Sequence, residues 1–336
     1  MAKILITGAA GFIGSELAKY LHSSNEHELA LVDNLSFGYL DNLRNHEIYD
    51  RFFNLDVRSD EFIELAVGFD YIFHFAGISS LPECEINPSE ALDVNTISVA
   101  KLLRALRRSK RSTKLIFAST SAVYENSKDY LLNENLDCNP NLIYAQSKYF
   151  AESLIKSYCQ NYGIQAIICR FFNVYGPHQD FRRLHPPFTS YLVKEIISNR
   201  TPSVYNQSDA RRDYIYIGDL IKYLEILMNN ENFSILGTIN ICSGISYSVP
   251  NIVSEVERII GHEIKVKYAE PNEFWNKYEM LFNEDFNLNK ERVVKEVNKS
   301  AIGDPSKIRK ITQYTPETDL STGLRRIIEF QKNQNE

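Results

Sequence analysis

The chain has 336 residues, a length at which one hydrophobic core stops growing, so a main core with a second, smaller lobe is expected. Its 44% apolar and 24% charged residues, with 14 Gly and 11 Pro, exclude a disordered, collagen-like or low-complexity chain. A formal net charge of -6 gives no electrostatic reason to expect nucleic acid, and no window holds the ~18 consecutive apolar residues of a membrane span.

Lys3 to Thr7 reads as the first strand and runs into Met1's short apolar neighbourhood on one side, without the charged leader of a targeting segment, so a cytoplasmic protein is expected. On its other side lies Gly8-Ala-Ala-Gly11-Phe12-Ile13-Gly14, where an apolar helical pattern begins. Gly8 and Gly11 allow a tight turn and close approach of the backbone to a pyrophosphate. Gly14 lets the helix pack near the strand, and the helix N-terminus offers free N–H groups and a positive dipole end to phosphates. The second strand, Leu29 to Asp33, ends in a carboxylate nineteen residues past Gly14, placed to accept from adenosine ribose hydroxyls and to repel a 2′-phosphate. This pairing predicts NAD over NADP.

Further strands are expected at Arg51 to Leu55, Tyr71 to Phe75, Lys114 to Ser119 and Gln165 to Phe172, with helical periods between them. Connections of that length are what parallel strands require, and the architecture is predicted as a doubly wound α/β (Rossmann) sheet. The basic run Lys101 to Arg111 closes one of these helices, where cations meet the negative dipole end, and reads as a solvated terminus. After Phe172 the pattern loosens into a smaller, irregular lobe with helices near Phe188 to Asn199, Asp219 to Met228, Asn251 to Ile260 and Ser321 to Gln331. No Gly- or Ser-rich linker separates the lobes, so a cleft between them is the expected site.

The fifth strand ends in Ser119-Thr120-Ser121, a hydroxyl cluster at the carboxyl edge of the sheet, which is the ligand-binding edge. Tyr144-Ala-Gln-Ser-Lys148 opens a strongly helical stretch, and a spacing of four puts Tyr144 and Lys148 on one face. An ammonium beside a phenol favours the phenolate, which predicts a Tyr144 pKa drawn down towards neutrality and a usable general base. The five cysteines include no C-x-x-C pair and the seven histidines no H-x-x-x-H spacing, so neither a disulfide framework nor a metal site is expected.

These residues resemble the extended short-chain dehydrogenase/reductase superfamily, and within it the NAD-dependent nucleotide-sugar epimerases and dehydratases related to UDP-glucose 4-epimerase. Further markers are Asp33-Asn34-Leu35, Leu55-Asp56-Val57, His74-Phe75-Ala76-Gly77, Asn95, Arg170-Phe171-Phe172-Asn173-Val174-Tyr175-Gly176-Pro177, Arg211-Arg212-Asp213-Tyr214 and Gly303-Asp304-Pro305-Ser306-Lys307, so the resemblance spans essentially the whole chain. It implies an NAD-binding domain over 1–175, with 213–242 packing back onto it, and a nucleotide-sugar lobe over 176–336. By position it implies cofactor contacts from Gly8, Gly11, Phe12, Ile13, Gly14, Asp33, Asn34, Asp56, Val57, Phe75, Ala76, Gly77, Asn95, Tyr144, Lys148 and Phe171. It implies substrate contacts from Ser79, Thr120, Asn173 and Arg212, with the last two holding a diphosphate, and it implies catalysis by Thr120, Tyr144 and Lys148.

The activity implied is 4-epimerisation of a nucleotide-diphosphate sugar through a transient 4-keto intermediate, by a homodimer. Alternatives are a 4,6-dehydratase, disfavoured because Ser121 and Ala122 follow Thr120 where dehydratases carry an acidic pair, and a net 4-dehydrogenase or ketoreductase. A cofactor-sensing regulatory protein ranks below these, because Tyr144 and Lys148 are both present. Ala301, three residues before Asp304, falls where related 4-epimerases face the sugar's C2 substituent, and its small side chain would admit an N-acetyl group. Two departures from the family pattern, Glu125 in place of Gly after Tyr124 and Phe171 in place of Tyr, are expected to leave the proton chemistry untouched. Phe181 to Pro187 is expected to border the sugar or base pocket.

Overall fold

In a strand buried on both faces, alternate side chains feed two separate cores, and this chain divides its aliphatic residues in that way. The computed structural model describes residues 1–44, 48–184, 186–204, 210–284 and 287–334. Seven strands form the main sheet: β1 (Ala2–Thr7), β2 (His27–Asp33), β3 (Phe52–Asn54), β4 (Tyr71–His74), β5 (Lys114–Thr120), β6 (Gln165–Phe171) and β7 (Gly237–Ile241). All neighbours pair in parallel, in the order β7-β6-β5-β4-β1-β2-β3. Ile4, Ile6, Phe73, Ile116 and Ile167 face one core, while Leu5, Ile72, Leu115, Phe117 and Ile168 face the other. The order in which successive strands are added reverses between β1 and β4, the position where sheets of this kind leave a crevice at their carboxyl edge.

Helix α1 (Phe12–Ser23) covers the first face, and α2 (Ser98–Arg108) and α3 (Ile143–Tyr162) cover the second. In the second lobe, α4 (Phe188–Ile197), α5 (Ile217–Met228), α6 (Val249–Ile260) and α7 (Leu320–Asn333) surround a three-stranded sheet. Its central strand, Arg211–Tyr216, lies between Asn173–Tyr175 and Ser246–Ser248. Leu192, Val193, Ile252, Leu324 and Ile327 of this lobe belong to the same buried cluster as Ile4 and Ile6 of β1. The lobes therefore share one core, and their relative placement is fixed by packing.

The expected third strand shrinks to three residues at the sheet edge, and β7 adds a strand that the sequence reading did not assign. All five cysteines are free thiols. Among the described residues no helix is long and apolar enough to cross a membrane, and no cluster of ligating side chains could hold a metal ion.

Candidate active site at the carboxyl edge of the sheet

The turn after β1 is built so that no side chain could replace its glycines. Gly8 sits at φ +68°, and a Cβ there would lie 2.8 Å from the Ala76 amide nitrogen. At Gly14 a Cβ would lie 2.2 Å from the Gly8 carbonyl oxygen. Gly11 occupies the extended N-cap of α1 and brings no side chain to cap it, so the first N–H groups of the helix face the cavity between the lobes. Thr7 Oγ accepts from the Phe75 and Ala76 amides at 3.1 Å each, drawing the turn after β4 against the glycine turn.

Asp33, at the end of β2, lines the cavity. Its Oδ2 accepts from the Ala10 amide (3.0 Å) and its Oδ1 from the Leu35 amide (2.8 Å), so it shapes the turn and also presents its charge to the cavity. Burial raises its pKa while these two N–H groups oppose the rise. Asn34 Nδ2 donates to Asp56 Oδ2 at 2.9 Å across the neighbouring strand end, and the Arg58 guanidinium holds the Asp56 carboxyl far below the usual carboxylate range. Val57 lines the wall beside them. Farther in, the Phe75 and Phe171 rings meet edge to face at 6.0 Å, forming an aromatic wall before Tyr144.

Tyr144 and Lys148, on the first turns of α3, both line this cavity, with Thr120 at the end of β5 in hydrogen-bonding reach of the phenol. Their electrostatics differ from expectation. Burial pushes the Tyr144 phenol up to about 12, with the Thr120 hydrogen bond opposing, and pulls Lys148 down to about 8. The Lys148 ammonium lies 4.9 Å from the Phe117 ring centroid, and a Cβ on Gly77 would come within 2.9 Å of Nζ. Desolvation by burial is the largest influence on each of the two groups.

On the substrate side Ser79, Asn173 and Arg212 line the cavity. Asn173 Nδ2 donates to the Asp213 carbonyl (2.9 Å), and Arg212 Nη2 donates to the Glu296 carbonyl (2.5 Å). Arg212 Nη1 has no hydrogen-bond partner among the described residues. Asp213 faces away into the protein, accepting from Ser243, Gly244 and Gly303 amides, which accounts for the Arg-Arg-Asp and Gly303-Asp304 markers as a structural knot behind the site.

Two of the residues expected to make contacts are not among those that line the cavity. Asn95 does not line the cavity; its amide bonds to both backbone groups of Ile78 and to Ser147 Oγ, tying the loop after β4 to α3. Ala301 does not line it either: it is buried with Val123, Tyr124, Leu132, Phe172 and Cys242, and its backbone pairs with Arg211 and Asp213. Packing turns this side chain inward, into that apolar cluster.

Glu125 touches the N-terminus of α3, the helix that carries Tyr144 and Lys148. Its Oε1 accepts from the Asn141 amide and from the Leu142 amide (3.0 Å), while Glu85 Oε1 accepts from the Ile143 amide (2.7 Å). Leu142, the N-cap residue, has no side chain that could do this. Arg183, Pro186 and Pro187 of the expected border segment line the cavity, whereas sequence reasoning missed Trp275 and Glu296 as wall residues. The single tryptophan was a visible signal, but no spacing tied it to the cleft. Arg182 and Arg183 lie in the expected border segment, of which His185 falls outside the described residues.

The sequence profile of the NAD dependent epimerase/dehydratase family matches residues 4–242. The chain belongs to this family. It is 27% identical over 275 residues to UDP-glucose 4-epimerase of Streptomyces lividans, covering 78% of this chain and 82% of that one. Among solved structures, UDP-glucose 4-epimerase of Thermotoga maritima with UDP-glucose superposes with a TM-score of 0.84 at 26% identity, over 99% of this chain and 100% of that one. UDP-glucuronic acid 4-epimerase of Bacillus cereus, in complex with UDP-glucuronic acid and NAD, gives 0.84 at 25% identity over 99% of each chain. The family's cofactor is NAD, and the cradle fits it: glycines where a Cβ would strike backbone, an uncapped helix N-terminus, and the Asp33 carboxylate at the ribose end.

Proposed function

We propose that this family member is a nucleotide-sugar 4-epimerase working through a 4-keto sugar. The observation that carries the reading is convergence: one cavity of about 930 Å³ contains the glycine turn, Asp33, Thr120, Tyr144, Lys148, Asn173 and Arg212. Residues 1–175 bind the cofactor and 176–336 hold the nucleotide sugar in this reading. Bound NAD supplies a reversible hydride acceptor beside the sugar and a positive ring charge near the phenol. Arg212 and Asn173 hold the diphosphate, the guanidinium offering a forked donor set suited to phosphate oxygens. Tyr144 takes the proton of the sugar 4-hydroxyl, Thr120 hydrogen-bonds the same oxygen, and Lys148 as an ammonium favours the phenolate over the neutral ring. Rotation of the 4-keto sugar about its anchored diphosphate would expose its other face; with the hydride given back to C4 on that face and the proton given back to the oxygen by Tyr144, C4 would be inverted with no net redox change.

A UDP-sugar is the substrate class that the relatives' substrates support. A dehydratase needs an extra acid and base beside the reacting carbon, and Thr120 is followed by Ser121 and Ala122, which carry neither. Exposed Ile97 and Phe150, at the start of α2 and on α3, support a homodimer formed through these helices. The test is turnover on a panel of UDP-, GDP-, CDP- and dTDP-sugars, with products read by NMR and mass. An epimer of unchanged mass is expected, and Tyr144→Phe is expected to cut turnover by ~10²-fold or more while NAD binding persists. Wild-type turnover in that variant, or loss of water from the substrate, would overturn the reading.

A further inference from the structure

Two segments from different lobes flank the mouth of the cavity, and one side chain joins them. The segment that follows Asp33 runs back over the glycine turn: the Tyr39 amide and Asn42 Nδ2 both donate to the Ala10 carbonyl, at 3.0 and 2.8 Å. Ser36, Phe37 and Gly38 of this segment line the cavity. From the second lobe, Gln179, Asp180 and Arg183 line it too. Between them Arg182 spans the gap, its guanidinium carbon 3.9 Å from the Tyr39 ring centroid and its Nη1 3.9 Å from Asp41 Oδ2.

The Arg182 end is anchored. Asp180 Oδ1 accepts from the Arg182 and Arg183 amides at 3.0 and 3.2 Å, and Lys194 Nζ donates to the Phe181 carbonyl at 2.9 Å. The Phe181 ring packs edge-on against Phe330 of α7. A cation held over a ring from a braced backbone makes a contact between lobes, whereas an unbraced arginine would only decorate the surface. The bridge thus joins two segments that both wall the cavity containing the glycine turn.

We propose that Arg182 and Tyr39 form a clasp that retains the dinucleotide through turnover. This rests on the cofactor and epimerase reading above and deepens it: an epimerase must keep its reduced cofactor until the same sugar takes the hydride back, whereas a net dehydrogenase must release it. Arg182 is a positioning residue in this role. It touches neither reacting atom, and its neighbour Arg183 faces the same cavity as Tyr144.

The experiment measures NADH release, followed by loss of nicotinamide fluorescence on chasing with excess NAD, in the wild type and in Arg182→Ala, Arg182→Lys, Tyr39→Ala and Tyr39→Phe. Arg182→Ala and Tyr39→Ala are expected to speed release by about 3- to 10-fold, the scale of one cation–ring contact, with the double variant no faster than the faster single. Tyr39→Phe keeps the ring and is expected to release like the wild type, and Arg182→Lys to fall between. The melting temperature of cofactor-free Arg182→Ala should match the wild type, since the side chain is 38% exposed. Unchanged release from Arg182→Ala, or equal acceleration by Tyr39→Phe and Tyr39→Ala, would overturn the clasp. A wild type that does not bind NADH overturns the cofactor reading instead.

Discussion

Lys148 is 4% exposed, on a helix whose next turns pack into the core, and its ammonium is held there against desolvation. The fall of its pKa from 10.5 to about 8 carries a cost on the order of 3 kcal/mol in the cofactor-free protein. Below pH ~8 the lysine is charged in both folded and unfolded chains, so the folded state bears the full cost. Between about 8 and 10.5 the folded chain has lost the proton that the unfolded chain keeps, and stability rises with pH; above 10.5 both are neutral and the cost is gone. Lys148→Met should therefore melt higher than the cofactor-free wild type at pH 7, with the difference shrinking towards pH 10, while turnover collapses. Thermal denaturation of both proteins across that pH range checks it, and a lower-melting variant at pH 7 would contradict the burial argument. The Tyr-x-x-x-Lys spacing was legible in the sequence, but the charge state was not, because it depends on Phe117 and Gly77 packing around Nζ.

Helix α3 was legible from its 3.6-residue apolar period, but its start was not. Residues 17 and 58 positions away in sequence, Glu125 and Glu85, satisfy the amides at its N-terminus, a partnership that no local capping signature displays. Glu125 is in turn 2.6 Å from Arg292, on the helix Lys290–Val297 that also carries Glu296, the acceptor for Arg212. The helix that bears Tyr144 and the proposed diphosphate anchor are thus braced by one chain of contacts. Glu125→Gln keeps the shape but removes the charge that faces both the helix dipole and Arg292. It is expected to lower stability by about 2 kcal/mol and to reduce kcat more than NAD affinity. A double-mutant cycle with Arg292→Met should be markedly non-additive, since both changes break one pair. Additive losses in denaturant unfolding would show that the two residues act separately.

Across the whole molecule, the parallel sheet could be anticipated from six strand-like runs separated by helix-length connections, because that alternation admits few topologies. The three-stranded sheet of the second lobe could not: two of its strands have three residues each, too few for any periodicity to register. What joins the two levels is the sheet edge, where Asp33 at the end of β2 stands beside Ala10 of the glycine turn and lines the cavity at the proposed ribose end. Both its oxygens are occupied by backbone N–H groups, so the carboxylate cannot swing away from a 2′-phosphate without leaving the Ala10 and Leu35 amides unpaired. Like-charge repulsion would then fall on NADP directly, and NAD should bind far more tightly. Replacing Asp33 by alanine would strip those amides and mix a local collapse into the result. Asp33→Asn removes the charge and keeps one acceptor oxygen, while its NH2 is set against one of the two amides, a smaller disturbance of the turn than alanine makes. The NADP-to-NAD ratio of dissociation constants, measured by calorimetry, should fall at least ~10-fold in Asp33→Asn, mainly through tighter NADP binding. A ratio that stays put, or equal affinity of the wild type for both cofactors, would mean that the discrimination arises elsewhere along the cavity.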